Sequence, residues 1–158
     1  MSKRWSKLKT KIEDVFVTEM DLQIHCNVYS TSDKHSTYES PRTWLQCDKK
    51  IIFDFPGMFF FWKSPYERSA IFYMESEAPK PGILIDEYLA TSKAELLAKE
   101  FPTDKWGFTD LLKIADRRIG KSRLQEQYGL WPPGTPIGTL LKKRLTGESC
   151  VPVMPSVW

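Results

Sequence analysis

The sequence predicts an α+β fold, a single domain in which an antiparallel sheet of about four strands carries helices packed on one face. Three observations lead there. Residues 20–62 hold apolar residues at a period of two or in short continuous runs, whereas residues 64–128 hold helical spacing and capping signals. That segregation argues against alternating strand–helix–strand units and a parallel sheet. With 158 residues, the chain is also of ordinary size for one domain with its own core.

The elements follow in order. Trp5, Leu8, Ile12, Val15 and Phe16 recur at helical spacing with Lys3, Lys7 and Lys11 off the stripe, an amphipathic helix expected to dock on the sheet. From Met20 to Tyr29 the period becomes two. Met20, Leu22, Ile24, Cys26 and Val28 face one way, and His25 falls on the opposite, solvated face as a surface histidine. Ser30 to Ser40 is polar and turn-forming and reads as a mobile loop. Thr43–Cys47 and Ile51–Phe55, separated by Asp48-Lys49-Lys50, read as a hairpin. Asp54 reads as an outward strand residue, and Met58–Trp62 as another short strand or a buried run.

Ser64-Pro65-Tyr66-Glu67 combines a cap, a proline at the first helical position and a Glu three residues on, which predicts a helix toward Met74. The break at Ala78-Pro79-Lys80-Pro81-Gly82 precedes helical regions over Ile83–Ala90 and Lys93–Glu100, the latter opened by Ser92 and Glu95 and stopped by Pro102. Next comes the most strongly patterned stretch, Trp106 to Leu124, in which Thr109 is expected to cap a helix and Gly120 to end it. Phe108, Leu111, Leu112, Ala115 and Ile119 form its apolar stripe. Lys113 and Arg117 point away, while Asp116 and Arg118 flank the stripe, Arg118 being expected to pair with an acid from the middle of the chain. Ser122 can cap a short continuation through Tyr128. Residues 1–128 are therefore read as the domain, and residues 129–158 as a Pro/Gly-rich extension with a short basic helix over Thr139–Leu145 and a tail draped over the body.

Charge is distributed unevenly. The net +3 contains +5 in residues 1–11 and +6 in residues 113–144, leaving −8 on the rest. Such a layout can steer a polyanion to the basic ends or present an acidic face to a basic partner. The longest apolar run, Met58 to Trp62, is far short of the ~20 residues needed to span a bilayer. The start of the chain lacks the apolar segment of a secretory signal. A cytoplasmic location without membrane attachment is the expectation. Cys26, Cys47 and Cys150 are odd in number and widely spaced, so neither a disulfide framework nor a zinc site can be read from them. With His25 and His35 as the only histidines, no metal and no cofactor is expected.

Ala115 to Ser122, ADRRIGKS, fits a loose phosphate-loop pattern. It lacks the preceding strand and the flexible glycines that such a loop needs. No other catalytic signature is present, and an enzyme ranks third among the functional expectations.

Two segments carry a resemblance. Trp5-Ser6-Lys7-Leu8-Lys9 and Asp116-Arg117-Arg118, Gly120-Lys121, Arg123-Leu124 resemble a family of small, uncharacterised bacterial proteins with an N-terminal WSKLK-like helix and a DRRxGKxRL segment. The resemblance spans about residues 3–125 and implies shared architecture without a mechanism. The leading expectation is a protein-binding module, a regulatory or immunity-like partner that uses Lys113, Arg117, Lys121 and Arg123. The alternative is nucleic-acid binding through Arg117, Lys121, Arg123 and Lys142 to Arg144, with the N-terminal lysines as an arm.

Overall fold

The computed structural model describes residues 3–32, 37–55, 81–104 and 107–150. In chain order these form α1 (Lys3–Glu13), a 3₁₀ turn (Thr18–Met20), β1 (Leu22–Ser32), β2 (Thr37–Cys47), β3 (Lys50–Phe55), α2 (Pro81–Ala90), α3 (Lys93–Leu96), α4 (Phe108–Ala115), α5 (Lys121–Tyr128) and α6 (Pro136–Thr146). The fold is α+β. Among the described residues the sheet has three strands rather than four, antiparallel and in the order β1-β2-β3. The run Met58–Trp62, the helix expected from Ser64, the aromatic Trp106 and the tail from residue 151 lie outside the described residues.

The period of two in β1 is the pleat of a half-buried strand. Leu22 pairs with Cys47, Ile24 with Leu45 and Cys26 with Thr43. All of these are buried except Cys26, which is half-buried, while Gln23 and Asn27 on the other face are exposed. The pairing continues past the apolar positions to Ser32 and Thr37, so most of the expected loop over Ser30–Ser40 is strand. Ladder hydrogen bonds belong to the backbone, and Ser, Thr and Tyr suit an extended chain even where nothing apolar marks a face.

The hairpin between β2 and β3 turns on two residues, not three. Asp48 and Lys49 both have positive φ, 51° and 64°, the left-handed pair whose twist matches that of the flanking strands. Left-handed backbone costs a non-glycine residue roughly 1–2 kcal/mol. Here the turn is held from outside: the Asp48 carboxylate accepts the Cys150 N–H at 2.9 Å and the Lys143 ammonium at 3.1 Å.

Trp5, Leu8 and Ile12 of α1 and Phe16 beyond it are buried, as the helical spacing predicts. The helix also serves the sheet edge. Glu13 accepts the Ile24 N–H at 3.0 Å, and Lys9 donates to the Ile24 carbonyl. Leu84, Ile85 and Tyr88 carry α2 into the core. The next helix is a single turn, Lys93–Leu96, shorter than the expected Lys93–Glu100. Its Ser92 hydroxyl reaches the Glu95 carboxylate at 2.8 Å instead of a backbone amide, and the carbonyls of Leu97 and Lys99 are taken by the Lys113 ammonium at 3.3 and 2.8 Å.

The long helix expected between Thr109 and Gly120 is broken. Asp116 leaves helical geometry at φ −72°, ψ 118°, and its carboxylate accepts the Arg118 N–H at 2.9 Å. This is the local Asx turn with which Asp competes against helix. Here the chain also meets the end of α1: Val17 N–H donates to the Ala115 carbonyl and Arg117 N–H to the Val15 carbonyl, both at 2.8 Å. At the other end, Asp104 does what Thr109 was expected to do. Its carboxylate accepts the Phe108 and Thr109 N–H groups at 3.2 and 2.7 Å and the Thr109 hydroxyl at 2.6 Å. Gly120, at φ −75°, is not left-handed and precedes α5 in the cap position expected of Ser122.

The last helix runs from Pro136 to Thr146, longer than Thr139–Leu145, because Thr135 caps it by accepting the Gly138 N–H at 3.1 Å. Ile137, Leu140 and Leu141 of α6, and Cys150 after it, join the same core as the sheet residues. Residues beyond 128 thus contribute to that core. Glycine is needed at 138, where a Cβ would stand 2.1 Å from the Pro132 carbonyl oxygen, whereas a Cβ at Gly134 would meet nothing within 4 Å. Gly138→Ala is expected to destabilise the protein by about 1–3 kcal/mol through overpacking, and Gly134→Ala to stay within about 0.5 kcal/mol. Urea unfolding of the two variants side by side checks this.

Candidate binding surface

The basic residues of the 113–144 region divide into two sets. Those turned inward build a polar hub around Asp116, whose side chain is fully buried. Its carboxylate accepts the Tyr88 hydroxyl at 2.8 Å and the Arg118 guanidinium at 2.6–3.1 Å. Arg118 therefore pairs with an acid two residues away and not with one from the middle of the chain. The hydrogen bonds to Asp116, and then its charge, raise the Arg118 guanidinium above its ordinary pKa against the opposing effect of burial. Burial first, and then the Asp116 charge, push the Tyr88 phenol far above its ordinary value, so it remains a hydrogen-bond donor. Arg144 is also buried and donates to the carbonyls of Ile114, Asp116 and Ile119 at 3.2, 3.3 and 2.7 Å. They span the end of α4 and the turn that leads to α5, and the Ile114 carbonyl is among those that the last turn of a helix leaves unpaired.

Lys113 is a second correction. It was expected to point outward as a binding residue, but it is only 4% exposed. Its ammonium sits over the Phe101 ring and bonds the carbonyls of Leu97 and Lys99. Burial lowers its pKa, with Asp110, Asp104 and Glu100 opposing. It belongs to a cleft of about 420 Å³ lined also by Lys99, Phe101, Asp104, Asp110 and Gln127. The polar groups of this cleft serve the fold, since Asp104 caps α4 and Asp110 accepts the Tyr128 hydroxyl at 2.7 Å.

Of the remaining basic residues, Lys142 pairs with Glu148 at 2.8 Å and Lys143 with Asp48 at 3.1 Å. Arg117, Lys121 and Arg123 are exposed. They sit at the start of α5, whose eight residues span about 12 Å. Just past its other end, Leu130 is wholly exposed and Trp131 is 45% exposed. The bend that carries them is braced. Trp131 N–H donates to the Tyr128 carbonyl at 3.0 Å, the Thr135 hydroxyl to the Pro132 carbonyl at 2.7 Å, and the Thr139 hydroxyl to the Pro133 carbonyl at 3.1 Å. The sequence signal for this pair is two large apolar residues outside any period, directly before Pro132-Pro133.

In the ADRRIGKS segment three of the backbone donors that a phosphate loop would need are already committed. The N–H groups of Arg117, Arg118 and Ile119 go to the Val15 carbonyl, the Asp116 side chain and the Asp116 carbonyl. His25 is half-buried rather than a surface histidine, stacked on Trp44 with ring centres 5.0 Å apart, and burial lowers its pKa. The stack depends on the cross-strand register that pairs the two residues. Asp54 lies in β3, and its side chain is outside the described residues. Cys47 and Cys150, which their spacing in the sequence does not pair, are joined as a disulfide with Cα atoms 6.1 Å apart. Cys26 remains free.

Over residues 4–80 the chain is similar to the SF0329 protein family. That stretch includes most of α1 and all three strands, and it stops before Asp116. No curated protein and no solved structure matches the chain. Among the described residues no helix is long and apolar enough to cross a membrane.

The two faces of the α4–α5 corner are expected to respond differently to substitution. Arg118→Ala leaves the buried Asp116 carboxylate short of a charged donor and should cost about 1–3 kcal/mol, whereas Arg117→Ala should stay within about 0.5 kcal/mol. Equal losses in thermal unfolding would contradict the facing described above. Asp48 supplies a pH test. The Cys150 N–H and Lys143 hold its carboxyl below the ordinary value. Its contribution is therefore complete above the unfolded pKa of about 3.9 and is lost as pH falls through the lowered folded value. The melting temperatures of the wild type and Asp48→Asn should differ at pH 6 and converge toward pH 2.

Proposed function

We propose that this chain is a protein-binding module whose contact surface runs along α5, from Arg117, Lys121 and Arg123 at one end to Leu130 and Trp131 at the other. The observation that carries this reading is the pair of large apolar side chains held in water on a braced bend. Leu130 buries nothing in the free protein and Trp131 leaves nearly half of its surface in water, and that exposed apolar area is what a covering partner removes from water. A bend already ordered spares the entropy of ordering it on binding. Trp and Arg are also the residue types that most often dominate interface energetics, and nearby positive charge speeds encounter with an acidic partner. The role inferred is that of a cytoplasmic regulatory or immunity-like partner. The WSKLK and DRRxGKxRL segments further suggest kinship with small bacterial proteins of similar architecture.

Nucleic-acid binding is the weaker reading, because Lys113, Arg118, Lys143 and Arg144 are committed to internal partners. Within the 113–144 block about three phosphate contacts would remain, Arg117, Lys121 and Arg123, so that block would contribute a salt slope of only about −2.7 on a duplex.

Affinity capture from a native lysate, with and without nuclease, distinguishes the two. A partner that survives nuclease, weakens at least fivefold with Trp131→Ala and weakens further with Arg117→Glu and Lys121→Glu is the expected result. Loss of the partner on nuclease treatment assigns the surface to nucleic acid. Indifference to Trp131→Ala rejects the surface.

A further inference from the structure

We infer that Cys47 and Cys150 form a reversible redox latch, closed by a disulfide that pins the end of α6 to the β2–β3 turn and opened by reduction without loss of the fold. The inference goes beyond the binding reading and does not depend on it. The two sulfurs belong to segments 103 residues apart and are both buried, Cys47 at 0% and Cys150 at 1% exposure. A disulfide there constrains nearly two thirds of the chain, which favours the folded state chiefly by restricting the unfolded one.

Two features make the pair a latch and not merely a staple. The first is that the reduced state has its own partners. Cys47 Sγ lies 3.2 Å from the Met20 carbonyl oxygen, so a thiol at this position has an acceptor for its proton. The second is that the segment remains docked by bonds that do not involve sulfur. The Cys150 N–H donates to Asp48 at 2.9 Å, the Cys150 carbonyl accepts from Lys50 at 3.2 Å, and Lys143 of α6 holds the same Asp48 carboxylate at 3.1 Å. Reduction therefore removes one covalent link from a contact that retains its polar scaffold, and the sulfurs stay positioned to close again. Residues 147–149, which lead into Cys150, are exposed. The segment follows Gly147, whose left-handed φ of 74° ends α6.

Closure needs an oxidant, and a low-molecular-weight disulfide such as glutathione disulfide balances it. The Cys150 thiolate attacks one glutathione sulfur, forming a mixed disulfide and releasing one glutathione thiolate. The Cys47 thiolate then attacks the Cys150 sulfur and expels the second. Two protein thiols are oxidised, one glutathione disulfide is reduced to two thiols, and the two protons lost by the protein thiols end, by way of solvent, on the two departing glutathione thiolates. In a reducing compartment such a pair is open by default and closes under oxidative stress, which is the usual role of a cytosolic disulfide.

Cys47, Asp48 and Cys150 also place three potential metal-ligand atoms within 4.8 Å of one another, so zinc is the competitor that the experiment must separate. The full-length chain is equilibrated across glutathione ratios in a chelated buffer, then denatured and alkylated, and the adducts are counted by intact mass. Three adducts in the reduced form and one, on Cys26, in the oxidised monomer are expected. The melting temperature should rise by about 5–15 °C on oxidation. Cys150→Ser should abolish that rise, and Cys26→Ser should keep it. Three adducts at every ratio, a disulfide between chains, or no change in melting temperature overturns the latch. So does one equivalent of zinc on unchelated reduced protein that is lost in Cys47→Ser. Because adducts are counted on the wild-type chain, a variant that fails to fold leaves the test intact.

Discussion

The structure depends on one buried carboxylate. Asp116 stops α4 by bonding the Arg118 amide, receives the Tyr88 hydroxyl from α2, and holds the Arg118 guanidinium. Its backbone meanwhile pairs with Phe16 after α1 and accepts from Arg144 of α6. A charge of this kind is costly to bury and stable only when every lone pair has a donor. Four elements are thereby required to arrive at one point together. The apolar core of Ile12, Leu111, Leu112, Ile114 and Leu140 is not directional and would accept several packings of these helices. The polar hub is directional, and its hydrogen bonds tie these elements to one arrangement.

The same hub decides which cations face solvent. A basic residue next to a helix end has a choice between water and the carbonyls that the helix leaves unpaired. Arg144 and Lys113 take the carbonyls, at the ends of α4 and α3 respectively. Arg117 cannot, because its amide is bound to Val15 and its side chain leaves on the solvent side. Lys121 and Arg123 lie on the outer turns of α5, whose inward positions are Leu124 and Tyr128. The basic block visible in the sequence is thus half scaffold and half surface.

Periodicity located α1 and β1 because each has one wet face and one dry face, which is what a period reports, while the hairpin strands were legible as apolar-rich runs flanking a turn and α2 as the stretch after a Pro/Gly break. It misjudged the stretch around Asp116 because nearly every residue from Phe108 to Asp116 is buried, leaving no wet face to count against. Lys113 looked solvent-facing for the same reason: its charge implied water, and its actual partners are two carbonyls 14 and 16 residues earlier in the chain. The stack of His25 on Trp44, the pairing of Cys47 with Cys150 and the bond from Tyr88 to Asp116 are long-range facts that no local pattern encodes. Of the four residues expected at the contact surface, Arg117, Lys121 and Arg123 are exposed and Lys113 is not. Leu130 and Trp131 escaped notice because a proline-rich stretch offers no period against which an exposed apolar pair can be recognised.

The clasp that Glu13 and Lys9 make on Ile24 has a further consequence for how this molecule meets others. An outer strand ordinarily presents unspent donors and acceptors, and a second chain can add itself there like the next plank of a floor. At Ile24 that invitation is withdrawn, since both backbone groups are already answered by side chains of α1. Among the described strands β1 lies at the edge, and at Ile24 a further strand could not pair with it without displacing Glu13 and Lys9.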